Sequence, residues 1–265
     1  MSKIARLEEL RKDLDSKVET FITNSEELKQ FIEFYRRNFK IYSPRNLMLV
    51  YDHNKFARFI AGFKKWKELG YAVKKGEKAR NILAPVKDKD GEIEKYIFVP
   101  VFDDSQVVAK ENAVALPTVD TDFQKGESNY NMNKIYSATK KVIEKELGKI
   151  ICYYDEDSLE YGKTDGKKIY LKKRHKLGML GTLVHEYTHY KRHFPLKENY
   201  NELELEAEMS SIIFGSIFNF EVENKFHYLH GYKIEKVKLS EIFEKILPFS
   251  SELADKVMEE IENGK

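Results

Sequence analysis

The 265-residue chain has a single cysteine, Cys152. One thiol cannot close an intramolecular disulfide, so no covalent staple supports this fold. A lone cysteine inside the apolar run Lys-Ile-Ile-Cys-Tyr-Tyr reads as a buried thiol of a reducing compartment. Charge of one sign is also lacking: 46 Lys and Arg stand against 44 Asp and Glu, a formal net charge of +2. That excludes a globally polybasic protein but leaves room for a local basic patch. No apolar run approaches the roughly 20 residues of a membrane span, and the first residues, Met-Ser-Lys-Ile-Ala-Arg-Leu-Glu-Glu-Leu, are too charged for a signal peptide. We therefore expect a soluble cytoplasmic protein with no membrane partner. Internal repeats and low-complexity tracts are absent as well.

What the chain does have is a hydrophobic content of 42%, enough for a real core, and 34% charged residues for an ionic surface. Its length suits one large domain or two ordinary ones. Ile4, Leu7, Leu10, Leu14, Val18 and Phe21 recur at three- and four-residue steps, which predicts an amphipathic helix. A second helix restarts at Ser25, read as a capping-box residue, and a third begins near Pro44. Two strands flank Asp90-Gly91, a hairpin signal. From 104 to about 130 the periodicity dissolves, which reads as a linker with the boundary near residue 120. Beyond it come a helix, two strands and helices to the end, the last two separated by Pro248. The expected fold is α+β in two domains, 1–120 with helices and a small antiparallel sheet, and 121–265 with helices and an edge strand.

Residues 182–193 read Thr-Leu-Val-His-Glu-Tyr-Thr-His-Tyr-Lys-Arg-His. On a helix, Met179, Leu180, Leu183, Val184 and Tyr187 share a core face, while Gly178, Gly181, Thr182, His185 and His189 share the other. Two histidines four apart can grip one ion, and Glu186, about 100° round the helix, can take a proton from a water polarised by that ion. A catalytic zinc usually has three protein ligands. The stretch 199–218 is apolar nearly all round except for a stripe holding Glu204, Glu208, Ser211 and Gly215. Buried carboxylates are costly unless paired or metal-bound. Glu204 is therefore the third candidate ligand, and Glu208 the partner that holds a histidine ring. Glu202 and Glu206 face the other way. His193 flanks the metal stripe but lies in Tyr-Lys-Arg-His-Phe, which reads as a fraying, solvated end, and His175, His227 and His230 read as surface or core-rim residues. The basic run 172–176 reads as a solvated turn. The preceding strand, Gly-Lys-Lys-Ile-Tyr-Leu-Lys-Lys, is expected as a sheet edge to which an extended peptide could add.

A second style of text lies upstream. Between His53 and Arg80 stand Lys55, Arg58, Lys64, Lys65, Lys67, Lys74, Lys75, Lys78 and Arg80 against Glu68 and Glu77, nine bases to two acids. Phe56, Phe59, Phe63, Trp66 and Tyr71 are interleaved. Cations for phosphates and flat rings for bases suit single-stranded nucleic acid, and Gly76 sits in a basic turn whose backbone N–H can approach a phosphate. A charged amphipathic helix with Phe63 and Trp66 in the core accounts for the same residues. Tyr42, Ser43, Arg45 and Asn46 are either groove residues or a plain helix cap.

Several of these blocks together resemble a known family. Tyr-Ser-Pro-Arg-Asn (42–46), Phe-Lys-Lys-Trp-Lys-Glu-Leu-Gly (63–70), Val-Lys-Lys-Gly-Glu-Lys (73–78) and Val-Phe-Asp-Asp-Ser-Gln (101–106) resemble, in that order, the N-terminal domain of ArdC-like antirestriction proteins. His-Glu-Tyr-Thr-His and Glu-Leu-Glu-Ala-Glu are similar to that family's zincin-type metallopeptidase domain and to the ImmA/IrrE peptidases. The resemblance covers about 25–250. It implies a bacterial protein of a plasmid, phage or conjugative element, with a single-stranded DNA-binding first domain and a zinc-dependent, zincin-like second domain. His185, His189 and Glu204 match the ligands and Glu186 the catalytic glutamate; Mn2+ or another divalent metal could replace Zn2+. Tyr42, Ser43, Arg45, Asn46, Lys64, Lys65, Trp66, Lys74, Lys75 and Lys78 are the expected DNA-binding residues. Asp103 replaces the family's usual Asn and Asp104 adds a second acid, which weakens any path for DNA over that end. The expected activity is that of a DNA-associated metalloprotease with an unidentified protein substrate. The alternatives are a non-proteolytic DNA-binding antirestriction protein with a structural zinc, and a regulatory protease that cleaves a repressor.

Overall fold

Residues 3–38, 42–116, 131–148, 151–154, 160–195, 200–220 and 239–264 are described by this computed structural model. Internal contacts divide the chain into two units, Met1–Lys17 with Gln30–Phe123, and Val18–Lys29 with Gln124–Lys265. No helix among the described residues is long and apolar enough to cross a membrane. His227 and His230 lie outside the described residues, as do 117–130 of the expected linker.

The first helix, α1 (Lys3–Thr23), ends at Asn24, and α2 (Ser25–Asn38) follows. Asn24 Oδ1 accepts from the backbone N–H groups of Glu26 and Glu27, both at 3.1 Å, so the cap is Asn24 and not Ser25 as the capping-box pattern suggested. In the N-terminal unit α3 (Pro44–Tyr51) starts with its proline in the first turn, where the missing N–H costs nothing. Phe31 and Phe34 of α2 meet Tyr51 of α3 edge to face, at 5.2 and 5.3 Å between ring centres. Strands β1 (Ile60–Gly62), β3 (Arg80–Lys87) and β4 (Ile93–Asp103) form an antiparallel sheet in the order β1-β4-β3. Gly91, at φ +87°, makes the turn that Asp90-Gly91 predicts. Strand β2 (Tyr71–Val73) pairs with β5 (Val107–Ala109). The linker expected from residue 104 is thus corrected over its first part. Asp103 and Gln106 cap each other across a 3-10 turn, and β5 follows directly. A three-residue strand is too short to register as alternation. The short α4 (Phe63–Glu68) drives Trp66 into a small core with Ala61 and Val107.

In the C-terminal unit, α5 (Met132–Leu147), α6 (Lys176–Thr188), α7 (Tyr200–Ile217) and α8 (Leu239–Asn263) surround a shared core that includes Ile143, Leu183, Val184, Phe214 and Val257. Strands β6 (Ile151–Tyr154), β7 (Gly162–Thr164) and β8 (Ile169–Lys172) form a sheet in the order β6-β8-β7, with β6 parallel and β7 antiparallel to β8. Two expectations are corrected here. The strand before the histidine helix, β8, is central rather than an edge; the edge beside α6 is β7, which Gly162 and the turn at Gly166 make too irregular to read from alternation. And α8 runs unbroken through Pro248. Ile246 and Leu247 before the proline, and Ser250, Leu253 and Ala254 after it, are all buried. Packing on both sides holds the helix across the one missing hydrogen bond.

Candidate functional site

Helix α6 contains Gly178 and Gly181, each costing about 1 kcal/mol relative to alanine in a helix interior. Both serve close approach. A Cβ on Gly178 would lie 2.7 Å from Arg174 Cζ, and the Gly181 carbonyl accepts from Ser211 Oγ on α7 at 2.9 Å. That last contact draws α7 against α6 one turn ahead of His185. Beyond Thr188 the helix widens into a π turn, His189–His193.

Between the two helices a polar cluster forms. His185 Nε2 lies 3.4 Å from Glu204 Oε2, His189 Nε2 lies 3.2 Å from Glu204 Oε1, and the two ring nitrogens are 3.1 Å apart. One ligand atom from each of the three residues falls within 4.8 Å of the others. Ligand bonds of 2.0–2.2 Å in a tetrahedron set neighbouring donors about 3.3–3.6 Å apart. The three donors therefore fit a single divalent ion, and a tetrahedral ion held there would have one position left for a water or substrate. Nitrogen and carboxylate donors suit zinc, and manganese is also compatible.

The backs of the rings are held too. His185 Nδ1 faces Glu208 Oε2 at 3.4 Å. His189 Nδ1 faces His193 Nδ1 at 2.9 Å, and His193 Nε2 faces Glu206 Oε2 at 3.0 Å. Burial disfavours charge on the His185 ring, but the contacts with Glu204 and Glu208 outweigh it and push its pKa up to about 9. Burial likewise opposes ionisation of Glu204 and Glu206, yet His185 and His189 beside Glu204, and His193 and Arg192 beside Glu206, hold both carboxyls below the usual range. Glu186 is buried, 7% exposed, and β7 runs past it. A Cβ on Gly162 would come within 2.3 Å of Thr182 Cγ2 and 3.1 Å of Glu186 Cγ, so only glycine lets the edge strand lie this close to the α6 ridge. Arg174, from the run expected as a solvated turn, is instead locked in place. Its Nη2 donates to Gly178 O and Thr182 Oγ1, each at 2.7 Å, and its guanidinium stacks 4.0 Å from the centre of the Tyr161 ring.

The expected DNA-binding residues divide by exposure. Lys64, Lys65, Lys74, Lys75 and Lys78 are exposed. Lys65 pairs with Glu68 at 3.6 Å and Lys74 donates to Ser105 O at 2.7 Å. Lys64, Lys75 and Lys78 make no ion pair among the described residues. Trp66 is corrected: it is wholly buried, its Nε1 donates to Phe102 O at 3.0 Å, and its faces meet Phe59 and Tyr71. It has no free face for a base. Asn46 is corrected as well. Its side-chain amide donates to Leu83 O at 2.9 Å and accepts from Leu83 N at 2.8 Å, which fastens α3 to β3. Ser43 caps α3, and Tyr42 and Arg45 are half-buried. The exposed rings of this region are Phe56 and Phe63, at 73% and 59%.

The sequence profile described as the N-terminal domain of anti-restriction factor ArdC matches residues 4–142, just over half of the chain. The chain belongs to the ArdC anti-restriction family. Among curated relatives, an uncharacterized protein of Bacillus anthracis is 36% identical over 83 residues, 30% of this chain and 14% of that protein. The match therefore spans a small part of that relative's length. Among solved structures, the chain is similar to the antirestriction ArdC protein of the R388 plasmid. The metal-free form is 19% identical over 84% of this chain and 86% of that one, with a TM-score of 0.44. The Mn(II)-bound form is 17% identical over 90% and 99%, with a TM-score of 0.46.

Spacing alone brought His185, His189 and Glu204 to one place, because i, i+4 positions on two buried helices leave few directions for polar groups. It did not find His193 and Glu206 acting together, since a regular helix turns His193 away from its position in the π turn. The weak signal available was the pair Glu206 and Glu208, two further carboxylates on a helix with little other polarity. Gly162 gave no local cue, because the need for glycine there arises from a neighbour distant in sequence.

Proposed function

We propose that this protein is a metal-dependent peptidase that binds single-stranded DNA and acts in antirestriction for a bacterial plasmid, phage or conjugative element. The observation that carries the enzymatic part is the convergence of His185, His189 and Glu204 within ligand distance beside a buried Glu186. His185, His189 and Glu204 would hold a divalent ion, which when bound would act as a Lewis acid and make a bound water more acidic. Glu186 then serves as general base, taking the proton of the attacking water and passing it to the leaving amine. The adjacent β7 edge offers backbone groups to an extended peptide, which argues for a protein substrate. For the DNA part, Lys64, Lys75 and Lys78 are exposed with no ion-pair partner among the described residues, and Phe56 and Phe63 are exposed as stacking surfaces. Membership of the ArdC family supports the antirestriction part of this reading.

The test is a pair of measurements on the full chain. Glu186→Gln should lower peptide hydrolysis by about 10²–10⁴-fold, the range for a general base, with metal binding kept. Fluorescence anisotropy with a labelled single strand should give salt-sensitive binding stronger than to duplex. Antirestriction retained in full by Glu186→Gln would instead favour a DNA-binding protein with a structural metal. Loss of all single-strand binding at low salt would favour a repressor-cleaving peptidase.

A further inference from the structure

The contact chain behind His189 has one arrangement of hydrogens that suits a ligating His189 Nε2. Glu206 is a carboxylate and only accepts, so the 3.0 Å contact requires His193 Nε2 to carry the proton. A neutral His193 then accepts at Nδ1, and its 2.9 Å approach lets His189 Nδ1 donate to it. With an ion between His189 Nε2, Glu204 and His185, that arrangement would leave the Nε2 lone pair free to ligate. His193 is 4% exposed, so water does not compete for its ring. Arg192 Nε, 3.2 Å from the same Glu206 oxygen, anchors the end of the chain. His185 has a direct counterpart in Glu208. Helix α7 thus supplies one carboxylate to the ion position and one behind each histidine, and the π turn lets His193 bridge the longer gap.

We propose that His193 and Glu206 are positioning residues of the metal centre, holding His189 in the tautomer and ring orientation that ligate. The inference rests on the metal-centre reading above. It is tested with Co(II) as the probe, by visible absorbance titration of chelator-treated full-length protein. Partners that orient a ligand histidine typically change metal affinity 10–100-fold. His193→Phe, which keeps a ring and removes both nitrogens, should weaken Co(II) binding by about that factor and shift its absorption bands. His193→Asn, whose carbonyl oxygen can accept from His189 Nδ1, should recover part of the loss. Glu206→Gln should weaken binding less than His193→Phe and carries the test if that variant fails to fold. His175→Gln, at the exposed helix start, is the control and should match wild type. Wild-type affinity and bands in both His193→Phe and Glu206→Gln would overturn the proposal. If wild-type protein takes up no Co(II) at all, the metal-centre reading fails and this inference falls with it, a result seen before any variant is compared.

Discussion

The candidate metal site of one unit and the basic segment of the other carry their charged groups in opposite ways. In the C-terminal unit the chemistry is buried: Glu186, His189, His193 and Glu208 are each no more than 7% exposed. In the N-terminal unit the lysines between 64 and 78 face solvent, and Trp66 is inside. Buried ionisable groups are tolerated only where partners offset their desolvation. A polar stripe on an apolar helix is therefore a strong constraint on where its neighbours lie. Exposed lysines carry no such constraint, because solvation satisfies them wherever they point. The first kind of site can be read from spacing; the second needs the surface.

The comparison breaks most visibly at Trp66. If its role is packing, Trp66→Ala should destabilise the protein by about 3–5 kcal/mol, the usual cost of truncating a buried large aromatic, and leave the DNA affinity of the folded fraction unchanged. The triple change Lys64, Lys75 and Lys78 to Ala should do the reverse. Stability should hold, while the slope of log affinity against log salt for a single strand shrinks by about 2, at roughly 0.7 per phosphate contact. Urea unfolding and anisotropy on the same samples separate the two. A Trp66→Ala protein that is stable but binds DNA poorly would put the ring back in the interface.

Gly162 sharpens the comparison inside the C-terminal unit. Adding one methyl there meets Thr182 Cγ2 at 2.3 Å. Misplacement on the scale of an ångström can cost about 100-fold in rate, so Gly162→Ala should reduce peptide hydrolysis by up to that factor. His185, His189 and Glu204 lie on other elements, so metal binding should not change. Adding Thr182→Ser removes Cγ2, keeps the hydroxyl for Arg174, and should restore much of the activity. Failure of that rescue would mean the glycine matters for β7 itself rather than for its seat on α6.

Legibility follows the same physics. The helices α1, α3, α5 and α6, the β3–β4 hairpin and the grouping of His185, His189 and Glu204 were readable, since each is set by local period, a turn residue or a stripe. The pairing of β2 with β5, the edge position of β7 and the continuity of α8 through Pro248 were not. Each depends on partners far along the chain, which override local preference. Asn46 was misread for a related reason: an amide near a helix start looks like a cap or a contact, and only β3 reveals that both its groups are taken.

The smallest effect expected concerns how the site is braced rather than what it does. Glu146, at the end of α5, accepts from Tyr187 Oη at 2.6 Å and pairs with Lys256 at 2.7 Å and Lys191 at 3.2 Å, tying α5 and α8 to the two ends of the histidine segment. Burial works against its charge, but those three partners prevail and bring its pKa down to about 2 from the model-compound value of 4.5. A carboxyl lowered in the folded state stabilises fully above its unfolded pKa and loses that contribution as pH falls through the folded value. The melting-temperature penalty of Glu146→Gln should therefore be constant above about pH 5 and shrink steadily from 4.5 toward 2. The group is partly solvated, so screening keeps the penalty to a few degrees at most. A penalty that stays the same from pH 6 to pH 3 would mean that Glu146 braces the helix through shape and neutral hydrogen bonds rather than through its charge.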